Sequence, residues 1–235
     1  GETRNTGVEL SITSRNFVGP EFQWSTTLAF STNKEEVIKT TSEGPLQFGD
    51  YYLIPGEAIK TYYGYKYAGI WGTAEAEEAA KYSQKPGQVH IAENGTPDYK
   101  LNADDYYVLG SATPKWSGSL LNNFNYKNFD LSILLIARWD WTIPYGLTGW
   151  YRTDGLTPSP TVCDYWTPEN PTNDFPRPNR FYGFGKTRYS STLKYEKGSF
   201  VKIRDITLAY NLPAKALKNI GLDLSLIHIS EPTRL

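Results

Sequence analysis

Between Trp116 and Trp139 the chain reads WSGSLLNNFNYKNFDLSILLIARW, and in its second half apolar and polar positions alternate. Phe129, Leu131, Ile133, Leu135, Ala137 and Trp139 share one parity, while Asp130, Ser132 and Arg138 take the other. A strand turns successive side chains to opposite faces, so this pattern predicts a β-hairpin with one continuous apolar face, folded at Lys127-Asn128. Each arm is about ten residues, the length of a tilted strand that crosses a bilayer. Trp139 ends the apolar face in an aromatic ring, where a membrane barrel carries its interfacial girdle.

Residues 7–31 repeat the pattern. Val8, Leu10 and Ile12 alternate with Glu9, Ser11 and Thr13; a turn is expected over Asn16-Phe17-Val18-Gly19-Pro20; then Phe22, Trp24, Thr26, Leu28 and Phe30 alternate with polar or small residues. A third alternating segment starts at Phe200 (FVKIRDITLAYNLP). Ile206, Leu208, Tyr210 and Leu212 share a parity opposite to Val201 and Ile203, which predicts a β-bulge or a change of face near Arg204-Asp205. Pro213 stops the strand, and Ala214 to Ile220 form the next turn.

Two long connections separate these segments. The first, from about Thr32 to Lys115, has low periodicity and is rich in Tyr, Gly and acidic residues. Within it TAEAEEAA, Thr73 to Ala80, predicts a short helix with Thr73 as N-cap and acids in the first turn. The second, Asp140 to Ser199, is dense in Pro, Asn, Tyr and Trp. Structureless connections of this length count against a compact soluble domain. Strand, short turn, strand, long loop is the rhythm of an all-β, antiparallel transmembrane barrel with short turns at one end and long loops at the other.

Composition adds limits. The chain has 235 residues, a net charge of −1, 15% aromatics with 18 Tyr and 7 Trp, and no Met. The balanced charge gives no support for a nucleic-acid partner. Mean hydropathy is −0.50. No apolar run is long enough for a transmembrane helix, which leaves a barrel open because lumen-facing residues dilute its strands. The single Cys163 excludes an intramolecular disulfide framework and a Cys-based zinc cluster. The opening at Gly1, without Met or signal peptide, reads as an interior fragment. Residues 1–223 read as barrel, and 224–235, which include LSLIHISEPTR, read as a non-native, adapter-derived tail.

The order of short motifs resembles the SusC/RagA-type TonB-dependent transporters, in the C-terminal portion of their barrel. The matching pieces are Asn5-Thr6-Gly7-Val8-Glu9-Leu10, Trp24 through Lys34, Tyr63 through Trp71, Pro86-Gly87-Gln88, Asp105, and Leu109 through Gly118. Asp164-Tyr165-Trp166-Thr167-Pro168-Glu169-Asn170-Pro171, Pro176-Arg177 and Gly198 through Pro213 complete the series. The resemblance implies a large plugged barrel in the outer membrane of a Gram-negative bacterium, importing oligosaccharides or peptides. It implies energy supplied through TonB, by way of a region outside this chain, and a SusD-like surface lipoprotein as partner, with outer-membrane lipid around the wall. One departure matters: where the family often carries an acidic D-x-N-G-D-G run, this chain has Ala92-Glu93-Asn94-Gly95-Thr96-Pro97. That run lacks most of the oxygen ligands a divalent cation needs, even with Asp98, Asp104 and Asp105 nearby, so no metal is expected.

No catalytic constellation emerges. Asp104-Asp105 and Glu77-Glu78 are adjacent acids that point apart, unlike a glycosidase pair. His90 has no nucleophile at triad spacing, and His228 falls in the tail. Tyr182 to Lys186 lacks the spacing of a phosphate loop, and no cofactor motif is present. The loop aromatics are the candidates instead. Tyr62, Tyr63, Tyr65, Tyr67 and Trp71 cluster in the first connection, and Trp141, Trp150, Tyr151, Tyr165 and Trp166 in the second. Flat rings suit sugar or peptide capture, and equally the packing of loops on each other or on a partner. Tyr65, Trp71, Trp150, Tyr151 and Arg152 are the candidate contacts to ligand or partner, whereas Trp166 and Pro168 read as structural.

Three readings stay open: the transporter barrel, a soluble carbohydrate-binding β-sandwich and a passive porin-like barrel. The barrel points Val8, Phe22, Leu28, Phe129 and Ile133 outward; the sandwich closes them into a core.

Overall fold

The computed structural model describes residues 1–145, 163–178 and 190–213. The chain divides into two compact units. One comprises Glu9–Phe30, Gly118–Ala137 and the described residues from Val201 on; the other comprises Gly1–Val8, Ser31–Ser117 and the described residues of Arg138–Phe200.

The three alternating segments form one five-stranded sheet. Its strands are β1 (Glu2–Val18), β2 (Phe22–Lys39), β8 (Trp116–Tyr126), β9 (Phe129–Trp139) and β12 (Phe200–Tyr210), in the order β1-β2-β8-β9-β12. The hairpin turn falls at Lys127-Asn128, as the pattern predicts, with Lys127 in the left-handed region at φ 51°. The turn is tied on both sides: Lys127 N–H donates to Glu21 O at 2.8 Å, and Asn211 N–H donates to Asn128 O at 2.7 Å. The other turn is narrower than expected, because Asn16 to Val18 stay in the strand and only Gly19-Pro20-Glu21 lie between β1 and β2. β12 runs unbroken through Arg204 and Asp205.

At 17 and 18 residues, β1 and β2 outrun the alternating pattern of residues 7–31. They also exceed the roughly 9–11 residues that a bilayer requires. Backbone pairing needs no apolar face, so the strands continue through polar sequence such as Asn33-Lys34-Glu35-Glu36.

The expectation of an aperiodic connection from Thr32 to Lys115 is overturned. That stretch holds a second sheet: β3 (Leu46–Phe48), β4 (Tyr51–Leu53), β5 (Thr61–Ile70), β6 (Val89–Ala92) and β7 (Tyr106–Ser111). The order is β3-β4-β5-β6, with β7 also paired to β5. β10 (Thr142–Pro144) and β11 (Tyr195–Lys197) form a separate antiparallel pair. The predicted helix begins as a 3-10 turn, Thr73–Glu75, and continues as α1, Ala76–Lys81. Its first N–H to be capped belongs to Gly72, which donates to Glu75 Oε2 at 2.7 Å, so Thr73 lies inside the turn instead of capping it.

The two units differ in where their apolar residues go. Val37, Tyr62, Ile70, Trp71, Ala79, Val89, Ile91, Trp166 and Leu193 are buried, and all belong to the unit containing the second sheet. Among the described residues of the other unit no large apolar side chain is buried. Val8, Leu28 and Phe129 are 61%, 39% and 48% exposed, and Phe22 and Ile133 are half-exposed. A β-sandwich would have closed these side chains into a core. They do not close, and the sandwich reading fails.

Candidate functional site

The outward face of the five-stranded sheet is bounded by aromatic pairs. On the unit with the hairpin turns, Trp24 stacks on Phe124 at 5.7 Å and 18°, Phe17 meets Phe22 at 5.6 Å, and Phe129 meets Tyr210 at 4.6 Å. At the opposite ends of β8 and β9, Trp116 stacks on Trp139 at 6.1 Å and 15°. Each of these two strands runs 11 residues from ring to ring, Trp116–Tyr126 and Phe129–Trp139. That is about 33 Å along a strand and about 25 Å across a bilayer at a tilt of about 40°, the height of a barrel's apolar band.

Polar groups on this face satisfy one another near the aromatic ring pairs. Asn16 Nδ2 donates to Thr26 Oγ1 at 2.6 Å, while Thr26 Oγ1 and Trp24 Nε1 donate to Asn122 Oδ1 at 2.7 and 3.1 Å. The opposite face is polar near the turn, while Leu134, Ile136, Val201 and Ile203 take its parity farther along the strands. By the turn, Asp130 accepts from Asn125 Nδ2 at 2.6 Å and from Asn211 Nδ2 at 2.7 Å, beside Ser25, Ser132 and Thr207. A sheet with an unburied apolar face and a hydrogen-bonded polar face fits a wall between lipid and water.

In the second sheet the tyrosines pack mainly against each other. Tyr65 meets Tyr106 edge-on at 4.8 Å, Tyr63 meets the same ring at 5.4 Å, and Tyr62 lies between Tyr51 and Tyr195 at 5.2 and 5.1 Å. Tyr65 is half-exposed. Trp71 is a correction: proposed from its neighbours as a contact residue, it is 2% exposed and belongs to the core. Its ring stacks on His90 at 3.6 Å and its Nε1 donates to Gln84 Oε1, so the indole is occupied on its face and at its only donor. Trp150, Tyr151 and Arg152 lie outside the described residues, as do residues 214–220 and the tail at 224–235.

Burial pushes the His90 imidazole below the usual histidine value, against the opposing pull of Glu75 and Glu78. Its folded value is depressed, so its contribution to stability is full above the unfolded value of about 6.5 and is lost as pH falls through the folded value. Amide protection around β6 is therefore expected to decline on acidification below about pH 6.5. His90→Phe, which keeps a ring against Trp71, should flatten that decline in a hydrogen-exchange series. An unchanged acid limb would show that other groups govern it.

The segment after β6 is closed by carboxylates. Glu93 accepts from the Tyr82 hydroxyl at 2.6 Å and from the backbone of Asp98 and Tyr99 at 2.5 and 3.1 Å. Asp105, 4% exposed, accepts from Asn94 N–H at 3.1 Å and Asn102 N–H at 2.9 Å. Among the described residues no group of three or more His, Cys, Asp or Glu is placed to hold a metal ion.

The same unit contains a cavity of about 310 Å³ that the sequence did not reveal, since its lining comes from positions as distant as Asn33 and Thr142. Glu35, Glu57, Thr61, Lys115, Asp140 and Trp141 are part of the wall. Lys115 Nζ pairs with Asp140, and Asp140 N–H donates to Ser199 Oγ at 2.9 Å. The Trp141 indole N–H donates to Gly198 O, fixing the ring. Gly110, at φ 123°, allows β10 to approach closely; a Cβ there would stand 2.1 Å from Thr142 Oγ1.

Together these features define an all-β fold of the antiparallel transmembrane-barrel kind, with a second unit that has its own small sheet and buried core. The chain is similar over nearly its whole length to TonB-dependent receptors. It is 28% identical to TonB-dependent receptor P3 and 29% identical to TonB-dependent receptor P26 of Formosa agariphila, in each case over 98% of this chain. The chain spans about a quarter of these relatives, 24% of each. No family model matches it. Among solved structures it is similar to a chain of the RagAB peptide transporter, with a TM-score of 0.68 and 19% identity over 91% of this chain and 23% of that one. The RagAB peptide importer in its open-open state gives 0.67 and 20%, over 92% and 23%.

Proposed function

We propose that this chain is part of an outer-membrane transporter that imports oligosaccharides or peptides, drawing energy through TonB and working with a SusD-like surface lipoprotein. The observation that carries the reading is the unburied apolar face between two sets of aromatic rings, in a chain 98% of whose length aligns with part of a TonB-dependent receptor. Under it, Phe129, Leu131, Ile133 and Leu135 face lipid, and Asp130, Ser132 and Arg138 face the lumen. The Lys127-Asn128 turn lies on the periplasmic side. The second sheet lies outside the cell, where Tyr65, Trp150, Tyr151 and Arg152 are the contacts to ligand or lipoprotein. Nothing in the reading requires catalysis or a bound cofactor.

A passive porin-like barrel would share the wall but not the energy source. Uptake of fluorescent peptides and oligosaccharides by cells carrying the full-length receptor separates the two. Import that stops when the proton gradient is collapsed, or when TonB is deleted, is the expected result. Undiminished uptake in both cases would sink the energised reading.

A further inference from the structure

The charges around the 310 Å³ cavity do not balance. Its two lysines are already engaged: Lys34 Nζ lies 3.0 Å from Glu36, and Lys115 pairs with Asp140. Glu35 and Glu57 also line it, both half-buried, and neither has an ion-pair partner among the described residues. They come from separate elements and are brought to one cavity by the backbone. Val37 N–H donates to Glu57 O and Gly56 N–H donates to Val37 O, both at 2.8 Å, which locks the turn at residues 56–57 to β2. The rest of the lining includes apolar surface from Ala58, Val108 and the fixed Trp141 ring.

From this geometry we infer that the cavity receives a lysine side chain of an imported peptide; the inference rests on the import reading. A lysine is a compact ammonium on a flexible four-carbon stem. Its stem suits the apolar wall and its ammonium suits two carboxylates with no ion-pair partner among the described residues. The volume lies at the small end for ligand pockets, about 300–1,000 Å³, room for a single side chain or sugar ring, so the choice between them rests on the lining. Uronate or sulfate groups would meet the same two carboxylates, and are disfavoured. An amino sugar offers an ammonium but is polar around its ring and leaves the apolar wall unused.

The test uses the full-length receptor with its lipoprotein and four probes in calorimetry. These are a blocked pentapeptide with two lysines, the same peptide with both side chains acetylated, fully deacetylated chitotetraose, and an oligogalacturonate. The lysine peptide should bind at least about tenfold more tightly than its acetylated form, corresponding to about 1.4 kcal/mol. The double substitution Glu35→Gln with Glu57→Gln should abolish that preference while leaving affinity for the acetylated peptide unchanged. Glu2→Gln with Glu43→Gln, an equal charge change at two exposed positions outside the cavity lining, should preserve it. Unaltered heat-modifiable gel mobility of the double variant shows that the barrel has formed.

Equal affinity for the two peptides, or a preference that survives the double substitution, overturns the inference. So does tighter binding of chitotetraose or oligogalacturonate. Energised uptake of a glycan without binding of either peptide rejects the lysine pocket and leaves the import reading standing. Energy-independent uptake of every probe rejects the import reading itself.

Discussion

Replacing Ile133 by lysine in the full-length receptor is expected to destabilise the folded barrel by about 2–4 kcal/mol, measured by reversible guanidinium unfolding in lipid vesicles. Ile133 sits midway along β9 on the parity of Phe129, Leu131 and Leu135, and no buried partner in its own unit takes it out of the surrounding medium. A charge at that depth must be desolvated into hydrocarbon or drag water inward. Ser132→Lys is the internal control. It lies one residue away but faces the side of Asp130 and Asn125, where hydrogen-bonding groups and water are available, so its cost should stay within about 1 kcal/mol. The two substitutions add the same side chain to the same strand and differ only in face. If Ile133→Lys costs no more than Ser132→Lys, the assignment of the lipid face is wrong.

Trp166→Ala should cost the loop unit about 3–5 kcal/mol, the range for removing a buried tryptophan. The ring is 2% exposed and lies against Gly87 and Arg177; a Cβ at Gly87 would stand 2.6 Å from the ring. The run that carries it is rigid for local reasons. Thr167 and Asn170 exchange backbone hydrogen bonds at 3.1 Å, Asn170 Nδ2 donates to Asp164 at 2.7 Å, and Trp166 N–H reaches Phe175 O at 2.9 Å. Removing the indole leaves a cavity in a scaffold that cannot collapse around it. Gly87→Ala attacks the same contact from the other side, with added backbone strain at φ 86°. Limited proteolysis of the receptor in detergent should then cut between residues 72 and 105 faster in both variants, with Trp166→Phe intermediate. Wild-type cutting rates in all three would remove Trp166 from the core.

The wall was legible in the sequence because one rule governs it. The period of two survives where one face is apolar and the other polar: at Val8 to Thr13 of β1, Phe22 to Phe30 of β2 and Phe129 to Ile133 of β9. The loop unit escaped for the opposite reason. Residues 61–70, TYYGYKYAGI, form a central strand in which the neighbours Thr61 and Tyr62, and again Gly69 and Ile70, are buried while Lys66 and Ala68 are exposed, so burial does not alternate. β3, β4 and β6 are three or four residues long, too short to show any period. The core is also assembled from remote positions, Val37, Trp166 and Leu193 among them. Trp71 was misjudged because composition cannot tell a ring that lines a surface from one that stacks on His90 beneath it. The cavity was out of reach for the same reason, since Glu35 and Glu57 become neighbours only after the turn at residues 56–57 locks onto β2.

That apolar burial among the described residues is confined to one unit has a bearing on how this sequence can drift. On the parity of Phe129, Leu131, Ile133 and Leu135 in β9 the requirement is little more than an oily side chain. Leu, Ile, Val and Phe can trade there with little consequence, because fluid lipid reshapes itself around each. Around Trp166, Gly87 and Trp71 the surroundings are solid, and a change of one methylene is felt by fixed neighbours. The stretches that diverge fastest among relatives need not be the exposed loops. A membrane-facing strand can lose nearly all its identity while keeping its rhythm, and the loop unit keeps particular residues in particular places.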